Sequence, residues 1–277
     1  MKRLFAVLVV SVALSTPSFA ARKAILANVS NYGDAPRCSG SDLSYGESAQ
    51  NYLASKLTSW GYDYIGKPDN MGVEFHEWAD KDKDSKGRDH ESPYGVDSAD
   101  VAMYYGHGSR SCSSDTSTIY MGLNVTGEEC GLSYGRDGGE VHWGDTDLNV
   151  VLLEACQTVH KCVFDGGGYN SGMRSGNMSL MLGYHGISYE GYWPIKHFEN
   201  FVDETKTEDL GSEWVDEMTD LMWGDDECAT AVAWGSDSSQ TSTIYHHSGW
   251  IDWFTPGYGT MTFFYWDGCD PDDGEEL

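Results

Sequence analysis

The stretch Ala99-Asp100-Val101-Ala102-Met103-Tyr104-Tyr105-Gly106-His107-Gly108-Ser109 runs five apolar or aromatic residues straight into a histidine between two glycines. Val101 to Tyr105 is too short and too continuous for an amphipathic helix, and it has the makeup of a strand buried on both faces of a parallel sheet. A second stretch, Leu148-Asn149-Val150-Val151-Leu152-Leu153-Glu154-Ala155-Cys156-Gln157, repeats the design. There Val150 to Leu153 reads as the buried strand, and a cysteine stands just past its end. In an open parallel sheet the carboxyl ends of adjacent strands frame the ligand crevice, so these two strands would bring His107 and Cys156 together across it.

Outward from these strands, the chain alternates strand and helix signals. Ala24 to Val29 reads as a buried strand, followed by turn residues from Asn31 to Ser41. Ser44 and Glu47 have capping-box spacing, and Ala49, Tyr52, Leu53, Leu57 and Trp60 share a helical face that ends at Gly61. Pro194 opens a stretch with Ile195, Phe198, Phe201 and Val202 on one face, and Leu210, Trp214, Met218, Leu221 and Met222 form another stripe. Cys228 to Trp234 and Thr260 to Trp266 read as closing strands. The expectation is one three-layer α/β domain over residues 21–266, with a mostly parallel central sheet and helices on both faces. An acidic tail, 267–277, follows it.

The first twenty residues carry Lys2 and Arg3, an apolar run from Leu4 to Leu14 and the small-residue site Ser18-Phe19-Ala20, the pattern of a secretory signal peptide cleaved after Ala20. The run is shorter than the roughly 20 residues needed to span a bilayer, so no membrane span is expected. Removing Lys2 and Arg3 leaves 15 basic residues against 44 acidic ones, a charge of −29. That balance disfavours nucleic acid and anionic membranes as partners. Seven cysteines, Cys38, Cys112, Cys130, Cys156, Cys162, Cys228 and Cys269, suit a secreted or periplasmic location. The number is odd, so at most three disulfides form and one thiol is left over, which the arithmetic cannot identify.

A thiol reacts as thiolate, and at neutral pH it needs an imidazole to take its proton and later to protonate the leaving group. Gly108 adds a backbone N–H that can approach a substrate closely and, with the amide of Cys156, donate to an oxyanion. His107-Gly108 and Glu154-Ala155-Cys156, each after a hydrophobic strand and in this order, resemble the two catalytic blocks of the caspase-like cysteine peptidases: caspases, metacaspases, legumains, gingipains and separases. The histidine and cysteine lie 49 positions apart, close to the roughly 50 of caspases. Within that superfamily the likeness is nearest a bacterial family of unknown function, through Gly106-His107-Gly108, Trp143 and Leu148. Met181-Leu182-Gly183-Tyr184-His185 and Ala231-Val232-Ala233-Trp234 add to it. The likeness is sharp over about 60 residues and diffuse elsewhere.

The resemblance implies a secreted cysteine endopeptidase with a peptide or protein substrate and no required cofactor. His107 and Cys156 would be the catalytic dyad, and Gly108 and Cys156 the oxyanion hole. Glu154 stands where metacaspases carry an acidic residue and legumains a Glu, which implies a pocket favouring Arg or Lys, or Asn. Read from the chain alone, Glu154 has a second role open to it, hydrogen bonding backbone near the strand end. Gln157-Thr158 departs from the small, Gly-containing turn that often follows the family's cysteine.

Other readings stand beside this one. Asp80, Asp82, Asp84 and Glu91 occupy positions 1, 3, 5 and 12 of a calcium loop, although Ser85 replaces the turning Gly and no flanking helices are evident, so a solvated loop is the plainer reading. Cys156, His160 and Cys162, with His142 or His185, could ligate zinc, but no Cys-x-x-Cys or His-Glu-x-x-His pair supports it and Cys162 suits a disulfide better. Ten Trp and seventeen Tyr suggest an extracellular carbohydrate-binding or glycoside-cleaving protein as an alternative. A caspase-like fold that binds a partner without cleaving it is another.

Overall fold

The computed structural model describes residues 21–33, 38–123, 129–135, 139–164, 173–174, 176–219, 227–250, 256–257, 259–266 and 269. The signal-peptide segment, the helical-stripe residues Leu221 and Met222, and the acidic tail apart from Cys269 lie outside them. A seven-stranded sheet joins β1 (Lys23–Asn28), β2 (Tyr64–Gly66), β3 (Val101–Tyr105), β7 (Val150–Glu154), β8 (Leu180–Tyr184), β9 (Ala229–Gly235) and β10 (Thr260–Tyr265) in the order β10-β9-β8-β7-β3-β1-β2. β2, β1, β3, β7 and β8 are mutually parallel, and β9 runs against both of its neighbours. The fold is therefore α/β with a mostly parallel central sheet.

The strands that read as continuous apolar runs are the central ones, covered on both faces as a parallel sheet demands. Val101, Met103, Val150, Leu152, Leu180 and Leu182 face one core, where α1 (Gly46–Ser59), α3 (Tyr192–Glu204) and α4 (Leu210–Thr219) pack. Phe201 meets Trp214 and Trp250 edge to face there, at 5.2 and 5.9 Å between ring centroids. Ala102, Tyr104, Val151, Leu153 and Met181 face the other core. Short 3₁₀ turns, the four-residue helix α2 (Lys161–Phe164) and a second sheet cover that side. The second sheet is antiparallel, β4 (Gly108–Ser111), β5 (Thr116–Tyr120) and β6 (Gly131–Gly135) in that order.

The capping box does not form. The N-cap of α1 is Tyr45, with no side-chain cap bond, and instead Glu190 reaches across the chain to accept the N–H groups of Ser44 and Tyr45 through Oε1. The helix ends at Gly61 as the pattern implies, with φ at +93°. α5 (Ser238–Tyr245), unmarked by any apolar stripe, starts from Asp237, whose carboxylate accepts the Gln240 N–H at 2.9 Å.

Candidate active site

β3 lies between β1 and β7, with Tyr105 opposite Asn28 on one side and Glu154 on the other. The ladders continue past the strand ends: Val29 N–H donates to Tyr105 O at 2.8 Å and Gly106 N–H to Glu154 O at 3.2 Å. His107 and Cys156 each come two residues beyond the paired Tyr105 and Glu154, on adjoining strand tips. Gly108 explains how closely the tips approach. A Cβ there would lie 2.3 Å from the Cys156 carbonyl oxygen and 3.2 Å from Ala155 Cβ, so only glycine lets the two backbones pass.

The imidazole of His107 is held from the opposite side. Nε2 lies 2.8 Å from the Ser41 carbonyl oxygen and 3.2 Å from its hydroxyl, and the ring tilts against Tyr32 at 4.7 Å. A carbonyl oxygen only accepts, so Nε2 carries the hydrogen and the neutral ring keeps its lone pair on Nδ1. The loop that presents Ser41 is tied down by the Cys38–Cys130 disulfide and by the Asp42 carboxylate, which accepts the Tyr32 N–H at 2.8 Å. Gly40 packs so tightly here that a Cβ would sit 3.0 Å from the Tyr32 ring and 3.2 Å from His107 Cδ2.

Cys156 is the free cysteine among the described residues. The others pair as Cys38–Cys130, Cys112–Cys162 and Cys228–Cys269. Its sulfur donates to the Ser188 carbonyl at 3.6 Å. Burial pushes the thiol pKa up, only partly offset by the Ser188 bond, so the resting group is a neutral thiol. No hydrogen bond among the described residues joins this sulfur to the His107 ring. The next residue, Gln157, takes a left-handed conformation with φ at +54°, so the turn after the cysteine has the shape glycine would favour, without the glycine. It is held in place because Gln157 N–H donates to Gly186 O at 2.8 Å and its carbonyl accepts the Ser117 hydroxyl at 2.9 Å.

Glu154 is 5% exposed and lines a small cavity of about 10 Å³ together with Tyr45, Tyr105, Tyr189, Pro194, Ile195 and Phe198. Its Oε1 accepts from the Tyr184 hydroxyl at 3.0 Å and the Ser188 hydroxyl at 3.1 Å, whereas Oε2 is buried with no hydrogen-bond partner. Burial raises its pKa to about 7, the two hydroxyl bonds lowering it only in part. The cavity holds no more than about one water, so a side chain reaching Glu154 must displace a wall. Neither Tyr184 nor Ser188 carries any sign of this role in the sequence.

The metal readings fare differently. Cys112, His160 and Cys162 do lie within ligand distance of one another, but Cys112 and Cys162 are bonded together and Cys156 is elsewhere, so the zinc set does not assemble. His185 stacks on His160 at 3.8 Å, and burial lowers the pKa of both, to about 3 and about 4. Of the calcium-loop residues, Asp80 is buried, Glu91 is exposed and paired with Lys81, and Asp84 caps the Lys86 N–H, so the four do not gather at one point among the described residues. Trp78, Trp143, Trp214, Trp234 and Trp250 are fully buried, which makes half of the ten tryptophans core rather than sugar-stacking surface.

Fold and site together define a three-layer α/β protein with a lone thiol and a tethered imidazole on neighbouring strand tips. No family model and no curated protein matches the chain. Among solved structures it is similar to gingipain R, an Arg-specific cysteine proteinase, at 16% identity and a TM-score of 0.37, over 66% of this chain and 35% of that one. The chain thus spans about a third of that structure's length.

Proposed function

We propose that the protein is an exported caspase-like cysteine peptidase in which Cys156 is the nucleophile and His107 the general base. The observation that carries this reading is the pairing of strand tips. The cysteine left out of the disulfides lies two residues past β7, and two residues past the neighbouring β3 stands an imidazole whose Nε2–H is tied to Ser41 O. On attack, Sγ gives its proton to Nδ1 of His107 and forms a bond to the substrate carbonyl carbon. The oxyanion is met by the amides of Gly108 and Cys156. His107 then returns the proton to the leaving amine, the C–N bond breaks, and water hydrolyses the thioester to restore the thiol. The weak resting contact between Sγ and Ser188 O must yield first, and catalytic hydrogen bonds commonly tighten only when substrate is bound.

Glu154 selects the residue before the cleaved bond. Its unpartnered Oε2 is the charge partner a guanidinium or ammonium group would need, favouring Arg or Lys once a wall of the small cavity gives way. Export is supported by three disulfides and by the Lys2-to-Ala20 leader pattern. A second reading, a binding protein that does not cleave, is favoured by the closed cavity and the protonated thiol. Labelling with a thiol-directed electrophile separates the two. The peptidase reading expects fast modification at Cys156, slowed at least about tenfold in His107→Ala; equal rates in the two proteins would favour the binding protein.

A further inference from the structure

Tyr32, four residues past the end of β1, is buried and meets His107 at two separate points. Its ring lies 4.7 Å from the imidazole, centroid to centroid, with 42° between the planes. Its hydroxyl oxygen accepts the His107 backbone N–H at 3.1 Å. Its own backbone N–H donates to Asp42, the neighbour of Ser41, whose carbonyl holds Nε2. One residue therefore touches the ring, the backbone that carries the ring and the loop that tethers it. An imidazole turns broadly about its second side-chain torsion, so a single bond at Nε2 leaves the plane of the ring loosely set. A contact on its face sets it.

The hydroxyl is itself held. It lies 3.3 Å from Tyr120 O and 3.4 Å from the hydroxyl of fully buried Tyr104, which also donates to Tyr120 O. The Tyr32 oxygen thus has an acceptor for its hydrogen and a lone pair left for the His107 N–H. Two glycines make the room. A Cβ at Gly106 would lie 2.9 Å from the Tyr32 hydroxyl oxygen and 2.3 Å from that of Tyr104. A Cβ at Gly40 would lie 3.0 Å from the Tyr32 ring and 3.2 Å from His107 Cδ2. The glycine before the histidine therefore has a purpose distinct from that of Gly108: it admits the hydroxyl that holds the histidine.

We propose that Tyr32 is a positioning residue for the cysteine–histidine chemistry. Its hydroxyl sets the height of the His107 backbone and its ring fixes the plane of the imidazole, so that the Nδ1 lone pair keeps one direction. Misplacing a reacting group by about 1 Å can cost a hundredfold in rate. This role rests on the reading of His107 as general base. Tyr32 acts through His107 and takes no proton itself.

The test joins two measurements on the full chain. Proton–nitrogen NMR spectra of the His107 imidazole should show the Nε2–H form in wild type and in Tyr32→Phe, which keeps the ring, and a mixture of both tautomers in Tyr32→Leu. Alkylation of Cys156 by iodoacetamide should slow by about threefold in Tyr32→Phe and at least about tenfold in Tyr32→Leu. Neither change should slow it further in the His107→Ala protein, because a positioning residue has nothing left to position there. Damage to folding alone would slow both backgrounds alike. Tyr32→Met takes the place of Tyr32→Leu if that variant does not fold. Nε2–H alone in Tyr32→Leu, or equal slowing with and without His107, would overturn the proposal. Alkylation as fast in His107→Ala as in wild type would instead remove the general-base reading, and the spectra would then decide whether Tyr32 orients the ring.

Discussion

The imidazole of His107 has a defined tautomer only because Ser41 offers it a carbonyl oxygen at 2.8 Å. Glu154 depends in the same way on Tyr184 and Ser188, which satisfy one of its oxygens and leave the other open. Because its pKa is raised to about 7, Glu154 is largely protonated below that pH and cannot pair with a basic side chain. The preference for Arg over a neutral residue before the cleaved bond should therefore rise from pH 6 to pH 8. Taking the ratio of kcat/KM for the two substrates cancels the ionisation of Cys156. In Glu154→Gln, which keeps an acceptor for both hydroxyls, the ratio should fall by about tenfold or more at pH 8 and lose its pH dependence. A preference that stays flat with pH in wild type would remove Glu154 from the specificity pocket. The placing of His107, Gly108 and Cys156 just past β3 and β7, and of Glu154 at the end of β7, was legible in the sequence because both strands are recognisable buried runs. Ser41 was not, since it acts through a backbone carbonyl 66 residues from the ring it orients, a contact that leaves no residue signature.

At the level of elements, the turn after β7 is where sequence and conformation disagree locally. Gln157 sits at φ +54°, a conformation that costs a non-glycine residue about 1–2 kcal/mol, and the Gly186 and Ser117 bonds hold it there. Gln157→Gly should leave stability unchanged or raise it by up to about 1 kcal/mol, the relief being offset by the freer unfolded chain. Gln157→Val should lower it by more than about 1 kcal/mol, because a β-branched residue tolerates this region poorly. Chemical denaturation of the three proteins decides the matter, and a Val variant as stable as wild type would show that the turn is not strained. The apolar strands β1, β3, β7 and β9 and the face of α1 were readable because burial on both sides, or along one stripe, imposes a pattern. The β4–β6 sheet was not, since its Ser- and Thr-rich strands Gly108–Ser111 and Thr116–Tyr120 are half-buried and carry little apolar signal. The start of α1 misled for another reason: Ser44 and Glu47 have capping spacing, but Glu190, 146 residues along the chain from Ser44, takes the N–H groups instead.

Across the whole molecule, three cross-links and one leftover thiol turn an arithmetic remainder into a specific sulfur. Cys38–Cys130 steadies the loop that orients the imidazole, and Cys112–Cys162 ties the β4–β5 turn to helix α2, just beyond the Cys156 turn. Cys228–Cys269 secures the far edge of the sheet. With −27 net charge over the chain, the surface repels acidic peptides and draws basic ones, in keeping with the proposed preference for Arg or Lys. If Cys156 is a peptidase nucleophile, one mixed peptide library digested with the wild-type chain and with Cys156→Ala, its cut sites read by mass spectrometry, should show cuts after Arg or Lys with wild type and none with Cys156→Ala. The same cuts from both proteins would rule out Cys156 as the nucleophile.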